Sequence, residues 1–209
     1  SIGSCAFKGC SSLTELTLPG SVNTISTYAF ADCSALTEIV IPDGVEEISG
    51  TAFQNCTSLA RVTFGSGTKY IRGSAFKGCT SLAELRFPVS ISSLGASAFE
   101  GCTGLKRIYF LGNPPTINDT AFTGVSARAN YPYFNENWTE DKLLDYGGSL
   151  TWGTWDPYYV EYDLTIAGEK VTAGSQPDTN HLSNLIDNTF AWTYDPDTNT
   201  LHLQGYWDV

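Results

Sequence analysis

A repeat of 23 residues limits this chain to a narrow set of folds. Residues 52–59 read AFQNCTSL, and variants of this segment begin at positions 6, 29, 75, 98 and 121. The phenylalanines of the repeat are Phe7, Phe30, Phe53, Phe76, Phe99 and Phe122. The cysteines of five copies keep the same spacing, at Cys10, Cys33, Cys56, Cys79 and Cys102. A fixed period of this length is typical of solenoids, in which each repeat forms one coil that stacks on the next.

Each repeat contains a short strand with one buried face. In the copy that begins at Leu36, the apolar residues Leu36, Ile39 and Ile41 point inward, and Glu38 and Val40 point to solvent. A proline ends the strand, because proline cannot donate to a sheet ladder. The A-F segment then forms a tight turn that inserts its phenylalanine. One coil buries too little apolar surface to offset its conformational entropy, so stacking is required for stability.

Charge and aromatic residues divide the chain near residue 127. Residues 1–127 carry 9 acidic and 8 basic side chains, whereas residues 128–209 carry 13 acidic and 3 basic ones. All five tryptophans lie in the second part. We therefore predict a solenoid over 1–127, a capping segment over 128–157 and a small acidic β-rich module over 158–209. The acidic excess disfavours nucleic acid and anionic membranes as partners, because like charges repel.

The chain starts inside a repeat, with SIGSCAF, and contains no methionine. We therefore expect further repeats upstream of Ser1 in the natural protein. No apolar run of about 18 residues is present, so we expect no membrane insertion. We also expect the protein to be a monomer.

The repeats resemble the bacterial surface leucine-rich repeats called BspA-like, which are close to 23 residues long and contain the motif A-F-x-x-C. The resemblance extends over about 1–127, where six columns agree in five or six copies. It implies a leucine-rich-repeat solenoid with short parallel strands and little helix. It also implies a secreted or cell-surface adhesin that binds host extracellular-matrix or cell-surface proteins. In the column that usually holds asparagine only Asn113 fits, so other groups must bond the backbone there.

The repeated cysteines have a structural interpretation and two chemical alternatives. As buried thiols they would act as small apolar side chains stacked on one another. Adjacent coils lie close enough for disulfides, although parallel in-register side chains seldom offer the required torsion. Metal sites prefer pairs such as C-x2-C, which a 23-residue spacing does not supply. We favour the structural interpretation, and we expect Cys5, which lies in a polar column, to face outward.

Sequence signals of enzymatic chemistry are scarce. His181 and His202 are the only histidines, and no hydrolase, metalloprotease or phosphate-binding motif is present. The segment DPDTNT at 195–200 has the first oxygen ligands of a calcium loop but lacks its glycine and its closing glutamate. A hairpin turn between two alternating runs explains it better. We predict a non-enzymatic protein without cofactors.

The outward residues of the strands suggest a binding surface. One predicted outward column reads Glu15, Glu38, Arg61, Glu84 and Arg107, and its alternating signs indicate neighbours that pair with one another. Near the C-terminal end of the array, four residues form a cluster in the predicted register: Arg86, Lys106, Arg107 and Tyr109. Arginine and tyrosine are enriched at binding hot spots. These four are therefore the predicted ligand-binding residues.

The C-terminal part carries a second set of predictions. The aromatic residues of 130–152, which resemble the segment ending many BspA-like arrays, are expected to cover the last coil. Residues 160–174 and the region around 195–200 predict two hairpins, with a short helix near 180–186 between them. The later residues resemble small β-rich modules that follow such repeats in gut bacterial surface proteins.

Two other functions compete with adhesion through the solenoid. Trp192, Tyr206 and Trp207 lie near Asp and Asn residues, as in carbohydrate-binding modules, where rings stack on sugars. The same rings are also needed for the core of so small a module. The third interpretation is a passive spacer that displays another domain.

Overall fold

The structure is a computed structural model. It describes residues 1–155. Beyond them it describes the backbone of four strands, at 160–166, 169–173, 190–195 and 200–205. The contacts divide the chain into two compact units, Ser1–Trp155 and Asp156–Val209.

The first unit is a solenoid, and one of its sides is a ladder of two-residue strands. In spatial order these strands are β2 (Glu47–Ile48), β4 (Tyr70–Ile71), β6 (Ser93–Leu94) and β8 (Thr116–Ile117). All pairs are parallel, and each residue pairs with the one 23 positions later, such as Ile48 with Ile71. Isolated bridges extend this ladder to Ile25 and Ile2. The predicted solenoid of short parallel strands is therefore confirmed.

Longer strands form two separate parallel sheets on another side of the coils. The first sheet pairs β1 (Glu38–Val40) with β3 (Arg61–Thr63). The second contains β5 (Glu84–Phe87), β7 (Arg107–Phe110), β9 (Ser126–Pro132) and β10 (Ser149–Trp155) in that order. Arg107 pairs with Arg128, so the spacing falls to 21 residues between β7 and β9. It returns to 23 between β9 and β10.

Helix is confined to one short turn in the part that the structure describes. A 3-10 turn at Glu140–Lys142 is too short to pack as a helix. No described helix has the length and apolar character needed to cross a membrane.

Stacked phenylalanines form the centre of the solenoid core. From Phe7 to Phe122, consecutive rings of the repeat lie 5.1–5.4 Å apart between centroids, and their planes differ by at most 9°. All of them except Phe7 are buried. A second row, Phe64, Phe87 and Phe110, follows the longer strands with centroid distances of 5.6 and 5.0 Å. Offset contact between rings adds to the free energy gained from burying them.

The turn that inserts each phenylalanine explains one more column of the repeat. The residue before the cysteine, or before Val125 in the sixth copy, has a positive φ between 60° and 77° in all six copies: Gly9, Asp32, Asn55, Gly78, Gly101 and Gly124. Glycine, asparagine and aspartate adopt this left-handed conformation most readily. In addition, Asn55 Nδ2 donates to Asp32 Oδ1 at 3.0 Å, which links adjacent coils.

The repeated cysteines bond one coil to the previous one. The Sγ atoms of Cys33, Cys56, Cys79 and Cys102 lie 3.0–3.2 Å from the carbonyl oxygen of the phenylalanine in the coil before. All four are buried, as the structural interpretation predicted. Cys10 is exposed, contrary to the structural interpretation, because it lies in the first described coil and has no preceding coil to pack against. Cys5 is exposed, as predicted.

Hydroxyl groups and the cysteine thiols supply backbone bonds in the place of an asparagine ladder. Thr68 Oγ1 donates to the Val45 carbonyl at 3.2 Å, and Ser90 Oγ donates to the Thr68 carbonyl at 2.7 Å. Asn113 differs, because its Oδ1 accepts from the later residues Asn135 and Asn137.

We expect iodoacetamide to alkylate two of the six thiols, Cys5 and Cys10, in the native protein. Burial raises the pKa of Cys33 to about 11 and that of Cys102 to about 12, so at pH 8 these thiols hold almost no reactive thiolate. Mass spectrometry of the labelled native and urea-unfolded protein measures the difference. Rapid native labelling of all six thiols would contradict the packing of this column.

The aromatic residues after the repeats pack on the last coil. The ring of Trp138 lies 4.9 Å from that of Phe110, and its Nε1 donates to the Gly112 carbonyl at 3.0 Å. Trp152 stacks on Phe110 at 5.9 Å, and Tyr146 is buried beside it. These contacts are those expected of a covering segment, which also extends the sheet through β9 and β10.

The second unit contains two antiparallel strand pairs. β11 (Val160–Ile166) pairs with β12 (Glu169–Ala173), and β13 (Phe190–Asp195) pairs with β14 (Thr200–Gly205). Both predicted hairpin pairings are thus confirmed. The helix predicted near 180–186 and the turn or calcium loop at 196–199 lie outside the described residues. The domain limits at 127 and 157 stay predictions.

Candidate functional site

Three of the four predicted binding residues meet on the outward face of the second sheet. Arg86 of β5 pairs in register with Tyr109 of β7, and its guanidinium lies 4.4 Å from the centre of the Tyr109 ring. The inward neighbours of Tyr109 in the strand, Ile108 and Phe110, are buried, which directs Tyr109 outward. Arg107 lies on the same outward side as Tyr109. We call Glu84, Arg86, Arg107, Tyr109 and Trp155 the arginine–aromatic patch.

Glu84 holds both arginines of the patch. Its carboxylate accepts from Arg86 Nε at 2.8 Å and from Arg107 Nε at 2.9 Å. One negative charge thus lies between two positive ones, and the patch keeps a net positive charge. Only the Nε atoms take part in these bonds, so among the described residues the Nη groups of both arginines have no hydrogen-bonding partner. Guanidinium Nη donors suit carboxylates and other planar anions.

Trp155 completes the aromatic part of the patch from the last strand. Its ring meets that of Tyr109 edge to face, with 4.9 Å between centroids, and lies 5.8 Å from the Arg86 guanidinium. Its Nε1 donates to the Phe110 carbonyl at 3.2 Å, which fixes the ring over the sheet. A cation over aromatic faces is stabilised by about 0.5–1 kcal/mol at exposed sites.

Arg128 adds a third guanidinium beside the patch. It is the register partner of Arg107, and its Nε donates to Asn130 Oδ1 at 3.1 Å. It has no acidic partner within residues 1–155. Gly153 on β10 makes room for it, because an added Cβ would lie 2.6 Å from Arg128 Nη2. Two like charges directly opposite each other on adjacent strands are unfavourable without an anion nearby.

A family model described as a BspA type leucine rich repeat region matches residues 1–128 in six copies. The chain belongs to this family. The resemblance inferred from the A-F-x-x-C repeats is thereby confirmed for the BspA-type solenoid.

Several solved structures are similar to this BspA-type chain. The leucine rich repeat protein TpLRR of T. pallidum is 28% identical, with a TM-score of 0.48, and the match covers 55% of this chain and 57% of that one. The pneumococcal vaccine antigen PcpA is 19% identical, with a TM-score of 0.46 and coverages of 66% and 43%. A leucine-rich repeat protein from Bacteroides ovatus is 22% identical, with a TM-score of 0.36 and coverages of 74% and 58%.

The BspA-type chain therefore covers 43% to 58% of the length of these solved chains. The comparison with curated proteins found no match.

Lys106, the fourth predicted residue of this BspA-type solenoid, directly precedes the first residue of β7. Its Nζ points toward the preceding turn, where it donates to the Thr103 carbonyl at 3.4 Å. Its backbone N–H bonds to the Ala83 carbonyl, so the residue holds the sheet together at that point. Because β7 begins at Arg107, the alternation of side chains in the strand does not place Lys106 on either face, and its part in binding stays a prediction.

Two neighbouring pairs of the predicted charge column form ion pairs, as the alternating signs indicated. Arg61 lies 4.0 Å from Glu38, and Arg107 bonds to Glu84. Three of these four side chains are largely exposed, so such pairs contribute about 0–1 kcal/mol each to stability. Among residues 1–155 and the described strands, no group of three or more His, Cys, Asp or Glu side chains could hold a metal ion.

Proposed function

We propose that this BspA-type chain is a non-enzymatic recognition protein of the bacterial cell surface or of a secreted fraction, acting as an adhesin through the arginine–aromatic patch. Its partners would be host extracellular-matrix or other cell-surface proteins. The observation that carries the proposal is the position of Arg86, which bonds to Glu84 and stacks on Tyr109 beside Trp155.

The patch has the properties of a preorganised binding surface. Tryptophan, tyrosine and arginine dominate binding hot spots, and here all three are in mutual contact. Arg86 donates to Glu84 and Trp155 donates to the Phe110 carbonyl, and these bonds hold both side chains in place before a partner arrives. Less side-chain entropy is then lost on binding. A solenoid sheet supplies the extended surface that such recognition uses.

We also propose that residues 158–209 form a small acidic β-rich module. The two antiparallel strand pairs and the excess of carboxylates support this proposal. The carbohydrate-binding alternative falls on this module, where Trp192 belongs to β13. Tyr206 and Trp207 lie outside the described residues, so no contact favours a sugar platform over a spacer.

A binding panel separates adhesion from its alternatives. The purified chain is applied to surfaces carrying extracellular-matrix proteins and polysaccharides, at low and at high salt. Adhesion predicts saturable, salt-sensitive binding to a protein that is lost in the Tyr109→Ala variant and kept in Trp192→Ala. Glycan binding predicts the reverse pattern with little effect of salt. Absence of binding to every surface would support the spacer and overturn the proposal.

A further inference from the structure

The sheet on the long-strand side is interrupted between β3 and β5. These strands are neighbours along the solenoid, yet they belong to separate sheets. In the preceding pair of coils, Ile41 N donates to the Thr63 carbonyl at 2.8 Å. The equivalent bond, from Phe64 N to the Arg86 carbonyl, is not made in the described solenoid. The Phe64 amide therefore keeps an unused donor.

A turn without proline accounts for the interruption. Proline follows the strand in three other copies, but Gly65-Ser66-Gly67 follows β3. Asp43 of the preceding coil accepts from Ser66 N at 2.7 Å and from Ser66 Oγ at 3.0 Å. These bonds also lower the pKa of Asp43. The two glycines allow close contact, because a Cβ on Gly65 would lie 2.6 Å from Pro42 and one on Gly67 would overlap the Asp43 carbonyl oxygen.

This turn is thus held against the coil before it. The sheet is interrupted on its other side, toward β5. The opposite side of the same two coils stays joined, since Tyr70 and Ile71 pair with Ser93 and Leu94. Among the described strands, the backbone ladder between these two coils is therefore lost on the face that carries the long strands and kept on the opposite one.

A groove of about 730 Å³ lies on this face, and residues of both β3 and β5 line it. That volume lies within the range of about 300–1,000 Å³ typical of ligand sites. Val62, Phe64, Val89 and Leu111 give it an apolar lining. Its charged lining residues are three arginines and one glutamate: Arg61, Arg86, Arg107 and Glu84. Its net charge is therefore positive.

We propose that this groove binds an extended acidic peptide segment of a partner protein, an inference that rests on the proposed recognition function and names the chemistry of its partner. The three guanidinium groups complement carboxylates. The apolar lining fits aliphatic side chains, and an extended peptide alternates the two kinds of side chain along its length.

The lining favours a peptide over a polysaccharide. Sugars stack on exposed aromatic rings, and the only aromatic residue that lines this described groove, Phe64, is buried. Val89, by contrast, is an exposed aliphatic side chain, with 68% of its surface accessible. A cationic groove with aliphatic contacts is therefore better matched to alternating acidic and aliphatic residues.

The test uses a fluorescent octapeptide of four Glu-Val pairs and its Gln-Val and Lys-Val counterparts. Fluorescence anisotropy with the full chain should give saturable binding of the Glu-Val peptide only. Arg61→Ala should weaken it about tenfold, the loss of one hydrogen-bonded charge. Thr63→Trp, which fills the groove, should abolish it. Lys69→Ala, which removes a cation from the other side of the coil, is the matched control, and circular dichroism checks each fold.

Failure of this inference is distinguishable from failure of the proposed function, because Arg61 lines the groove and Tyr109 does not. Suppose that Tyr109→Ala abolishes binding to the partner found on the panel while Arg61→Ala and Thr63→Trp leave it intact. Recognition then stands, and the groove inference is wrong. Equal binding of the Gln-Val peptide or no peptide binding would also overturn it.

Discussion

Replacement of Phe76 by alanine is expected to lower the free energy of unfolding by about 3–5 kcal/mol. The Phe76 ring is fully buried and stacks on Phe53 at 5.1 Å and on Phe99 at 5.4 Å. It also meets Phe64 edge to face at 5.9 Å, so it joins the two phenylalanine rows. Removing it leaves a cavity at the junction of three coils, which rigid neighbours cannot fill.

Urea unfolding followed by circular dichroism measures this loss. Phe7→Ala is the matched control, because Phe7 stacks on one neighbour only and is partly exposed. Phe7→Ala should lower the free energy of unfolding clearly less than Phe76→Ala does. Equal effects at the two positions would contradict the view that stacking between coils, and not each repeat by itself, stabilises the solenoid.

Replacement of Gly65 by alanine is expected to lower the free energy of unfolding by about 1–3 kcal/mol, the second largest effect. The new Cβ would lie 2.6 Å from the carbonyl carbon and oxygen of Pro42 and 2.7 Å from the Cα of Asp43. These are backbone atoms, so relief requires that the two coils move apart. That movement would also strain the bonds between Ser66 and Asp43.

Gly20→Ala provides the comparison for this prediction. Gly20 lies in the corresponding region of an earlier coil, and a Cβ there would meet nothing within 4 Å. In thermal unfolding, Gly65→Ala should have a lower midpoint than the unmodified protein, and Gly20→Ala should have an unchanged one. A stable Gly65→Ala variant would mean that close contact of this turn with Pro42 is not what positions it.

Much of the fold follows from the period alone. The spacing of Phe53 and Cys56 identifies the inward residues, and alternation in each strand separates Glu38 from Ile39. These inferences succeed because every coil repeats the same local environment. A column is therefore assigned from several copies, and one atypical residue does not change the assignment. Glycine or asparagine before the cysteine also indicates a positive φ in that column, which the structure shows.

The 23-residue period no longer predicts which residues pair where the repeat changes length. Two residues are missing between Val125 and Ser126 relative to earlier copies, so β9 and β10 lie out of the 23-residue frame. The contact of Trp155 with Tyr109 could not be read from columns for this reason. The partnership of Arg107 with Arg128 was hidden in the same way.

The groove was missed because its cause is a local exception. Gly65-Ser66-Gly67 has the composition of an ordinary turn, and the apolar pattern of β3 matches that of its neighbours. The one available signal was glycine in a column that holds Pro19, Pro42 and Pro88. That signal indicates a changed turn, but only the structure shows which neighbouring coil the turn approaches.

The most direct measurement compares Arg86→Ala with Arg72→Ala in binding to the protein partner found on the panel. Arg72 is a matched control, because it pairs with Glu47 at 2.5 Å and lies 4.9 Å from the Tyr70 ring on the other ladder. We predict that Arg86→Ala raises the dissociation constant at least about tenfold. Arg72→Ala should leave it unchanged. Equal constants for the two variants would contradict recognition through the arginine–aromatic patch.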